Sequence, residues 1–354
     1  MATAAYDFAP LDSALEARYR ADEPGMAVLI AHGDTVLYER YIGLADMDKG
    51  DAVDADTRFC IASCSKQFTV MALLQQDALF NEPGGLLDTP AARWFPDYTA
   101  PFWRQVTLRH LASHTSGIPD SRPREDRDWC VHATDEQSVL YFPTVRETTF
   151  APGEYYDYLN PSFILLARVV ERLSGEEFTD YMRRHVFSPA GMDATYYFDP
   201  APLPSHAAHG YVKENDLWRE YDYGEETFYA TRPDGGIYTT ARDLLKWENA
   251  LRDGIVADTG RVRLAYTPQV SVTASPYCDY QRRPDTWYGL GYFIDHPAGY
   301  PVKVYHTGDN GGFQAYLAKY PAEDLKIIVL ETRNDHDRWQ LATLIDRILR
   351  VRGD

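Results

Sequence analysis

A serine placed three residues before a lysine, where a helix should begin, is the first group in this sequence that could do chemistry. Ser63 and Lys66 lie in a largely apolar stretch that no glycine or proline interrupts from residue 63 to 80. Its apolar residues recur near helical spacing and predict a mostly buried helix. One turn apart, the two side chains would share a face. A lysine deprived of water there loses preference for its charged form, so Lys66 could accept the Ser63 proton and create a nucleophile.

The same stretch also has a plain structural interpretation. Ser63 could cap the helix while Lys66 extends its amine to water. A Ser-x-x-Lys pattern arises by chance about once in a chain of this length, so the two interpretations weigh about equally here. Under the catalytic one, the backbone N–H of Ser63 lies in the first turn, lacks a helical partner and could bind an oxyanion.

A second candidate is a tyrosine two residues before an asparagine, on an irregular loop that leads into a predicted helix at 163–173. Tyr158 could serve as an acid or base if a nearby cation lowers its pKa, and Asn160 could hydrogen-bond both Lys66 and a substrate carbonyl. For this motif alone, the more ordinary interpretation is a loop tyrosine that packs on the surface. The nearby stretch at 114–117, His-Thr-Ser-Gly, is interpreted as a cap and turn.

The third candidate is His306-Thr307-Gly308-Asp309, at the end of a predicted strand. A glycine in a strand lets a substrate backbone approach closely, and the N–H of Asp309 could then point at the reacting carbonyl. Strand alternation places the Asp309 side chain on the face of Thr307, where its carboxylate would favour a cationic or neutral substrate. The alternative is a glycine-rich hairpin turn without a catalytic role.

Composition limits the classes of function. The 354 residues are 45% hydrophobic, enough for a sizeable core, and 53 Asp and Glu against 35 Lys and Arg give a formal net charge of −18. Such a field repels phosphate backbones, so we expect no nucleic-acid partner. The four cysteines have neither the spacing of a metal site nor the density of a disulfide scaffold.

The sequence shows no pattern typical of a targeting signal. The first ten residues lack the charged start and continuous apolar run of a signal peptide. Nor does any segment have the length of a membrane span, so we expect no membrane partner. These features favour a cytoplasmic protein, or a periplasmic or secreted one if a leader has been removed.

The predicted elements place strands at both ends of the chain and helices in its middle. Residues 26–30 and 36–42 read as a hairpin, and the run from 287 to 332 reads as consecutive strands. We therefore predict an α/β (α+β) fold in which residues 1–80 and 233–354 share one antiparallel sheet flanked by helices, with an all-helical insertion at 81–232.

Taken together and in this order, Ser-x-x-Lys at 63–66, Tyr-x-Asn at 158–160 and His-Thr-Gly at 306–308 resemble the serine β-lactamase and penicillin-binding protein superfamily. The Tyr-x-Asn motif, the stretch at 114–117 and the Gly-Gly-Ile-Tyr at 235–238 are similar to the class C β-lactamase branch, which includes DD-carboxypeptidases, D-aminopeptidases and esterases. The resemblance covers almost the whole chain.

The resemblance implies an active site between a sheet-containing part and a helical part, with Ser63 as the acylated nucleophile. It further implies that Lys66 and Tyr158 share the acid and base work and that Asn160 positions the substrate. His306, Thr307 and Gly308 would line the opposite wall, with the N–H groups of Ser63 and Asp309 as the oxyanion hole. Neither a metal nor another cofactor is needed, because Lys66 activates the serine and backbone donors stabilise charge.

One departure from the resemblance concerns the substrate. Many members of the superfamily have lysine where this chain has His306, which would be largely neutral at pH 7. We therefore expect a serine hydrolase that forms an acyl-enzyme on small esters, amides or D-amino-acid peptides. The alternatives are a penicillin-recognising binding or sensor protein with little turnover, and a true β-lactamase or DD-carboxypeptidase. A metal hydrolase is remote, since the histidines lack paired ligand spacing.

Overall fold

The structure, a computed structural model, describes residues 6–199, 204–278 and 285–351. The strands are β1 (Met26–His32), β2 (Thr35–Ile42), β3 (Leu44–Asp46), β4 (Asp51–Ala52), β5 (Phe59–Cys60), β6 (Tyr196–Tyr197), β7 (Tyr211–Glu214), β8 (Leu217–Glu220), β9 (Ile237–Thr239), β10 (Val270–Ser271), β11 (Thr286–Tyr288), β12 (Phe293–Asp295), β13 (Lys303–Asn310), β14 (Phe313–Tyr320) and β15 (Leu325–Glu331). The α-helices are α1 (Ala9–Arg18), α2 (Lys66–Leu79), α3 (Ala91–Trp94), α4 (Leu108–Ala112), α5 (Arg127–His132), α6 (Asp135–Val139), α7 (Pro161–Ser174), α8 (Phe178–Met182), α9 (Ala241–Arg252), α10 (Thr259–Ala265) and α11 (Arg338–Ile348).

The main sheet joins the two ends of the chain. In the described residues it has eight strands in the order β10-β11-β12-β13-β14-β15-β1-β2, and neighbouring strands are antiparallel. The pairing of β1 with β15 sets Met26 opposite Glu331 and His32 opposite Leu325. This arrangement confirms the predicted antiparallel sheet shared by the first and last parts of the chain.

Two hydrophobic cores cover the two faces of this sheet. Along β1, Ala27 and Leu29 point into a large core that also holds α2, α7 and α9, whereas Val28 and Ile30 point into a second core with α1 and α11. Successive strand residues face opposite sides. The continuous apolar run of β1 therefore reflects burial on both faces, and helices flank the sheet on both sides as predicted.

The middle of the chain contains strands as well as helices, so the expectation of an all-helical insertion at 81–232 is wrong in this respect. Strands β7 and β8 form a hairpin at residues 211–220. Its two-residue turn consists of Asn215 and Asp216, which have φ angles of 51° and 62°. Asn and Asp tolerate this left-handed conformation, and the twist of such a turn matches that of paired strands.

The predicted run of strands from 287 to 332 begins with a divided segment at 287–294 in the structure. This segment forms β11 and β12, which pair with each other around a turn at residues 289–292. Gly291 in this turn has a φ of 73°, and a Cβ there would lie 2.9 Å from Val70. The turn therefore needs glycine both for its backbone conformation and for its close packing against α2.

The structure offers no membrane-spanning candidate: among the described residues, no helix combines the length and the apolar character needed to cross a bilayer.

A histidine enclosed by carboxylates secures the β7–β8 hairpin to β3. The Nδ1 atom of His209 lies 3.1 Å from Asp222 and 3.2 Å from Glu220, and its Nε2 atom lies 3.7 Å from Asp46. Hydrogen bonds to Asp222 and Glu220 raise the pKa of His209 to about 10. The folded protein therefore holds an imidazolium at neutral pH, where an unfolded chain would release the proton.

This contact predicts a pH-dependent contribution to stability. Since the folded pKa of about 10 lies above the ordinary value of 6.5, the stabilisation is complete below pH 6.5 and is lost as the pH rises through 10. Thermal melts of the wild type should therefore lose more stability between neutral pH and pH 10 than melts of His209→Asn. The exposed His132 provides the control, and an equal pH dependence of the wild type and His209→Asn would contradict the prediction.

Candidate active site

The backbone bends sharply just before the candidate nucleophile. Residues Ala62–Ser65 form a 3₁₀ turn that leads into α2, and Ala62 has a left-handed φ of 46°. A residue with a Cβ rarely adopts this conformation without local strain. The bend leaves the half-buried Ser63 in the first turn, where its N–H has no partner within the turn.

The amine of Lys66 lies in contact with this serine. Its Nζ atom is 3.0 Å from Ser63 Oγ and 2.7 Å from the carbonyl oxygen of Asp234. The side chain is fully buried, and burial lowers the pKa of Lys66 to about 8. A neutral amine can therefore form near physiological pH and accept the Ser63 proton while an N–H donates to Asp234.

Asp234 is a site residue that the sequence interpretation missed. It directly precedes the Gly-Gly-Ile-Tyr stretch at 235–238, and nothing in that pattern indicates a support for the lysine. The contact uses the backbone carbonyl of Asp234. Since every residue has a carbonyl, no side-chain pattern could have identified it.

The Tyr158 to Asn160 loop lies beside the lysine. The Tyr158 ring centroid is 5.0 Å from Lys66 Nζ, close enough for a cation–π contact when the lysine is charged. Asn160 lines the same cavity as Ser63 and immediately precedes α7. The structure thus brings Ser63, Lys66, Tyr158 and Asn160 together at one end of the cleft.

A buried histidine holds this loop in place. His114 Nδ1 accepts a hydrogen bond of 3.1 Å from the Leu159 N–H, and its ring lies 4.1 Å from the Tyr158 ring. His114 also has a left-handed φ of 57°, which agrees with the predicted turn. The turn therefore supports the loop that carries Tyr158 and Asn160.

His306 lies inside the wall of the cleft. It is 1% exposed, its Nδ1 contacts the Thr307 carbonyl at 2.6 Å, and its Nε2 is 3.0 Å from the Tyr288 hydroxyl. A carbonyl only accepts, so Nδ1 carries the proton and Nε2 accepts from Tyr288. Burial and the nearby Lys66 charge lower the pKa of His306 to about 3. The ring is therefore neutral at pH 7. Thr307 is also buried, at 2% exposure, and direct contact of His306 or Thr307 with a substrate stays a prediction.

Gly308 lets strand β13 pack closely against the turn at Ala62–Ser65. A Cβ at this position would lie 2.1 Å from the Ile61 carbonyl oxygen and 3.1 Å from Ala62. No side chain fits at these distances, so glycine is required for close backbone packing. This contact fixes the edge of β13 against the turn that carries Ser63.

The orientation of the Asp309 N–H follows from its neighbours. Arg338 Nη1 bonds both the Gly308 and the Ala315 carbonyl oxygens, at 3.0 and 2.9 Å, so these two carbonyls face each other between β13 and β14. Backbone groups alternate in direction along a strand. The N–H of Asp309 therefore points away from β14, at a place beyond the β12–β13 pairing of residues 293–295 with 303–305.

The Asp309 carboxylate has a charged partner that the sequence pattern did not indicate. Arg338 also forms an ion pair with this carboxylate, because strand alternation turns the side chain toward the face covered by α11. The arginine matches the negative charge of Asp309. This contact argues against the expectation that Asp309 selects a cationic or neutral substrate.

A cavity of about 360 Å³ opens beside Ser63. One wall comes from β13 and its turn, and the facing wall comes from loops of the middle segment. The lining residues are Ala62, Ser63, Arg122, Arg124, Asn160, Glu226, Thr227, Phe228, Thr231, Asp234, Gly235, Asp309, Asn310, Gly311 and Asn334. This space is large enough for part of a small ligand.

The chain is similar in sequence to known proteins over most of its length. The family model described as Beta-lactamase matches residues 11–349. Penicillin-binding protein 4* of Bacillus subtilis is 27% identical, over 90% of this chain and 70% of its own length. The D-alanyl-D-alanine-carboxypeptidase/endopeptidase AmpH of Escherichia coli is 28% identical, over 91% of this chain and 83% of its own length.

A solved structure agrees with the same assignment. A penicillin-binding protein from Bacillus halodurans is 28% identical and superposes with a TM-score of 0.77, covering 91% of this chain and 95% of that one. The octameric penicillin-binding protein homologue from Pyrococcus abyssi is 23% identical with a TM-score of 0.80, over 96% of this chain and 76% of that one. This second match supports the fold alone.

The packing at Gly308 predicts that Gly308→Ala is severely damaging. The added methyl group must displace the Ile61 backbone, so we expect a loss of about 1–3 kcal/mol in the free energy of unfolding and slower acylation of Ser63. Gly235→Ala is the matched control, because its Cβ would meet its nearest neighbour, Ala62, at 3.9 Å. Equal melting temperatures of the two variants would contradict the close-packing argument.

The pKa of Lys66 predicts the pH dependence of acylation. If neutral Lys66 is the base, kcat/KM should rise with pH and level off above its pKa of about 8. No inflection should come from His306, whose pKa is lowered to about 3. The measurement is a pH profile with a neutral ester. An inflection near pH 6.5 that His306→Gln removes would show that this histidine titrates in the working range.

Proposed function

This chain belongs to the β-lactamase family of serine hydrolases, and we propose that Ser63 is its acylated nucleophile. The observation that carries this proposal is the 3.0 Å contact of Ser63 Oγ with a buried lysine whose pKa is lowered to about 8. A serine with an adjacent base that is neutral near pH 7 has the arrangement required for nucleophilic catalysis.

Acylation begins with proton transfer from Ser63 Oγ to Lys66 Nζ. The serine oxygen then attacks the substrate carbonyl carbon, and the developing oxyanion accepts hydrogen bonds from the N–H groups of Ser63 and Asp309. Tyr158 and Lys66 together return the proton to the leaving group as its bond to carbon breaks. Water then attacks the acyl-enzyme and releases the acid, with Ser63 recovering its proton.

We propose small esters, amides and short D-amino-acid peptides as substrates. The relatives support this range, since they include an AmpH carboxypeptidase/endopeptidase and a D-aminopeptidase from Brucella canis. Asn160 lines the cavity next to Ser63 and can hydrogen-bond an amide or ester of the bound substrate. The strongly acidic net charge of −18 agrees with a small substrate rather than a nucleic acid.

Intact-protein mass spectrometry tests the proposal. Wild type and Ser63→Ala are exposed briefly to a penicillin, a p-nitrophenyl ester and a D-alanyl amide. We expect adducts of the acyl mass on the wild type alone, followed by release for the true substrates. Adducts of equal yield on Ser63→Ala would overturn the assignment of the nucleophile.

The same experiment separates turnover from binding. Adducts that persist without product release would favour a penicillin-recognising sensor over a hydrolase. Tyr158→Phe supplies a second readout, because it removes only the hydroxyl. We expect it to slow acylation roughly 10²-fold or more, and more strongly for the amide than for the ester, whose p-nitrophenolate leaves without protonation. An equal effect on both substrates would argue against Tyr158 as the proton donor to the leaving group.

A further inference from the structure

An arginine held rigidly in the wall of the Ser63 cavity has a position that the proposed catalytic steps do not use. Arg122 bonds Asp120 through Nε at 2.8 Å and Nη2 at 2.6 Å. Its guanidinium carbon also lies 3.7 Å from the centroid of the Phe228 ring. The carboxylate thus holds one edge of the planar group, and the aromatic ring covers one face.

The Nη1 atom of this guanidinium has no hydrogen-bond partner among the described residues. It is buried, and the Arg122 side chain is only 1% exposed. A buried cationic donor without an acceptor is costly. Arg122 and Ser63 line the same cavity, so a ligand that enters it and reaches the guanidinium could supply the missing acceptor.

The charges near Arg122 are of both signs. Asp120 is shared with Arg124, whose Nη2 lies 2.5 Å from the same carboxylate, and Asp234 also acts on Arg122 through its charge. Glu226, Asp234 and Asp309 are further carboxyl side chains in the cavity lining. The cavity as a whole is therefore mixed in charge. A preference for an anionic ligand group must come from the charge and hydrogen-bonding direction of the Arg122 Nη1 donor rather than from a general positive field.

The catalytic geometry indicates which part of the substrate reaches Arg122. The leaving group must depart next to its proton donor, and the half-buried Tyr158 is not part of the cavity lining. The cavity does include Ser63 and Asn160. The portion that it holds is therefore the acyl portion, which stays on the serine after the first step.

We propose that Arg122 is a specificity-determining residue that binds a carboxylate in the acyl portion of the substrate. This inference rests on the proposed function, since it requires Ser63 to be acylated. The preferred substrates are then esters or amides of acids that carry a second carboxylate within reach of the cavity. Arg122 acts on the affinity and orientation of the acyl group and takes no part in proton transfer.

Two pairs of chromogenic esters test this substrate class with the full chain. The p-nitrophenyl monoesters of glutaric and adipic acid carry a terminal carboxylate, and p-nitrophenyl pentanoate and hexanoate are their neutral partners of equal length. The measured quantity is the ratio of kcat/KM for the anionic ester to that for the neutral ester, after subtraction of the buffer rate. We expect the wild type to favour the anionic ester of at least one pair.

The variants identify the source of that preference. Arg122→Gln should lower the ratio roughly tenfold or more, as expected for loss of a charge-assisted hydrogen bond, mainly through KM. Arg122→Lys keeps the charge but loses the planar fork, so its ratio should be intermediate. Arg109→Gln is the matched control, because Arg109 makes a similar two-point contact with Asp88, at 2.7 and 2.9 Å, and does not line this cavity. Its ratio should equal that of the wild type.

The outcomes separate this inference from the proposed function. A folded Arg122→Gln that keeps the wild-type ratio would overturn the role of Arg122, as would a wild type that favours the neutral ester of both pairs. The second result needs no variant, so it decides the question even if Arg122→Gln fails to fold. If Ser63→Ala hydrolyses the esters as fast as the wild type, the proposed function itself fails, and this inference with it.

Discussion

The burial of one amine is the constraint on which the rest of this structure depends. Lys66 lies at the start of α2 without exposure to water, and its Nζ contacts Ser63 and the carbonyl of Asp234. A charged amine is costly in such a place. The same burial makes the neutral amine accessible near pH 7. In the proposed mechanism, the desolvation that opposes the folding of a charged lysine is therefore also what prepares Ser63 as a nucleophile.

The packing of β13 against the Ser63 turn and against α11 positions the backbone N–H groups of Ser63 and Asp309. On one side, the missing side chain of Gly308 lets β13 approach Ile61 at the turn that carries Ser63. On the other face, Arg338 of α11 bonds the carbonyls of Gly308 and Ala315. The strand is therefore held from both faces of the sheet, and the Asp309 N–H lies on the edge that points away from β14. The precision of the proposed oxyanion hole comes from this layered packing rather than from a flexible loop.

The charged groups around Ser63 differ from the net charge of the molecule as a whole. The chain carries a formal net charge of −18, which by itself would disfavour an anionic substrate through long-range repulsion. Around Ser63, however, Arg338 matches Asp309, and Arg122 presents an unsatisfied donor. Directed hydrogen bonds at contact distance exceed the screened field of surface carboxylates. The local geometry, and not the overall charge, decides which acyl groups the cavity favours.

The sequence by itself determined the local features: the helix after Ser63 and Lys66, the hairpin strands at 26–30 and 36–42, and the loop that presents Tyr158 and Asn160. These depend on residue type and spacing over a few turns, which are visible in a linear pattern. Only the tertiary structure decided the roles that depend on distant partners. The alternation of side chains along β13 turned the Asp309 carboxylate toward Arg338 of α11. The fold brought the Asp234 carbonyl to Lys66. Contacts with Asp120 and Phe228 fixed Arg122 beside the cavity. No residue pattern records which backbone carbonyl or unpaired donor will face a site, because that is set by how separate elements pack together.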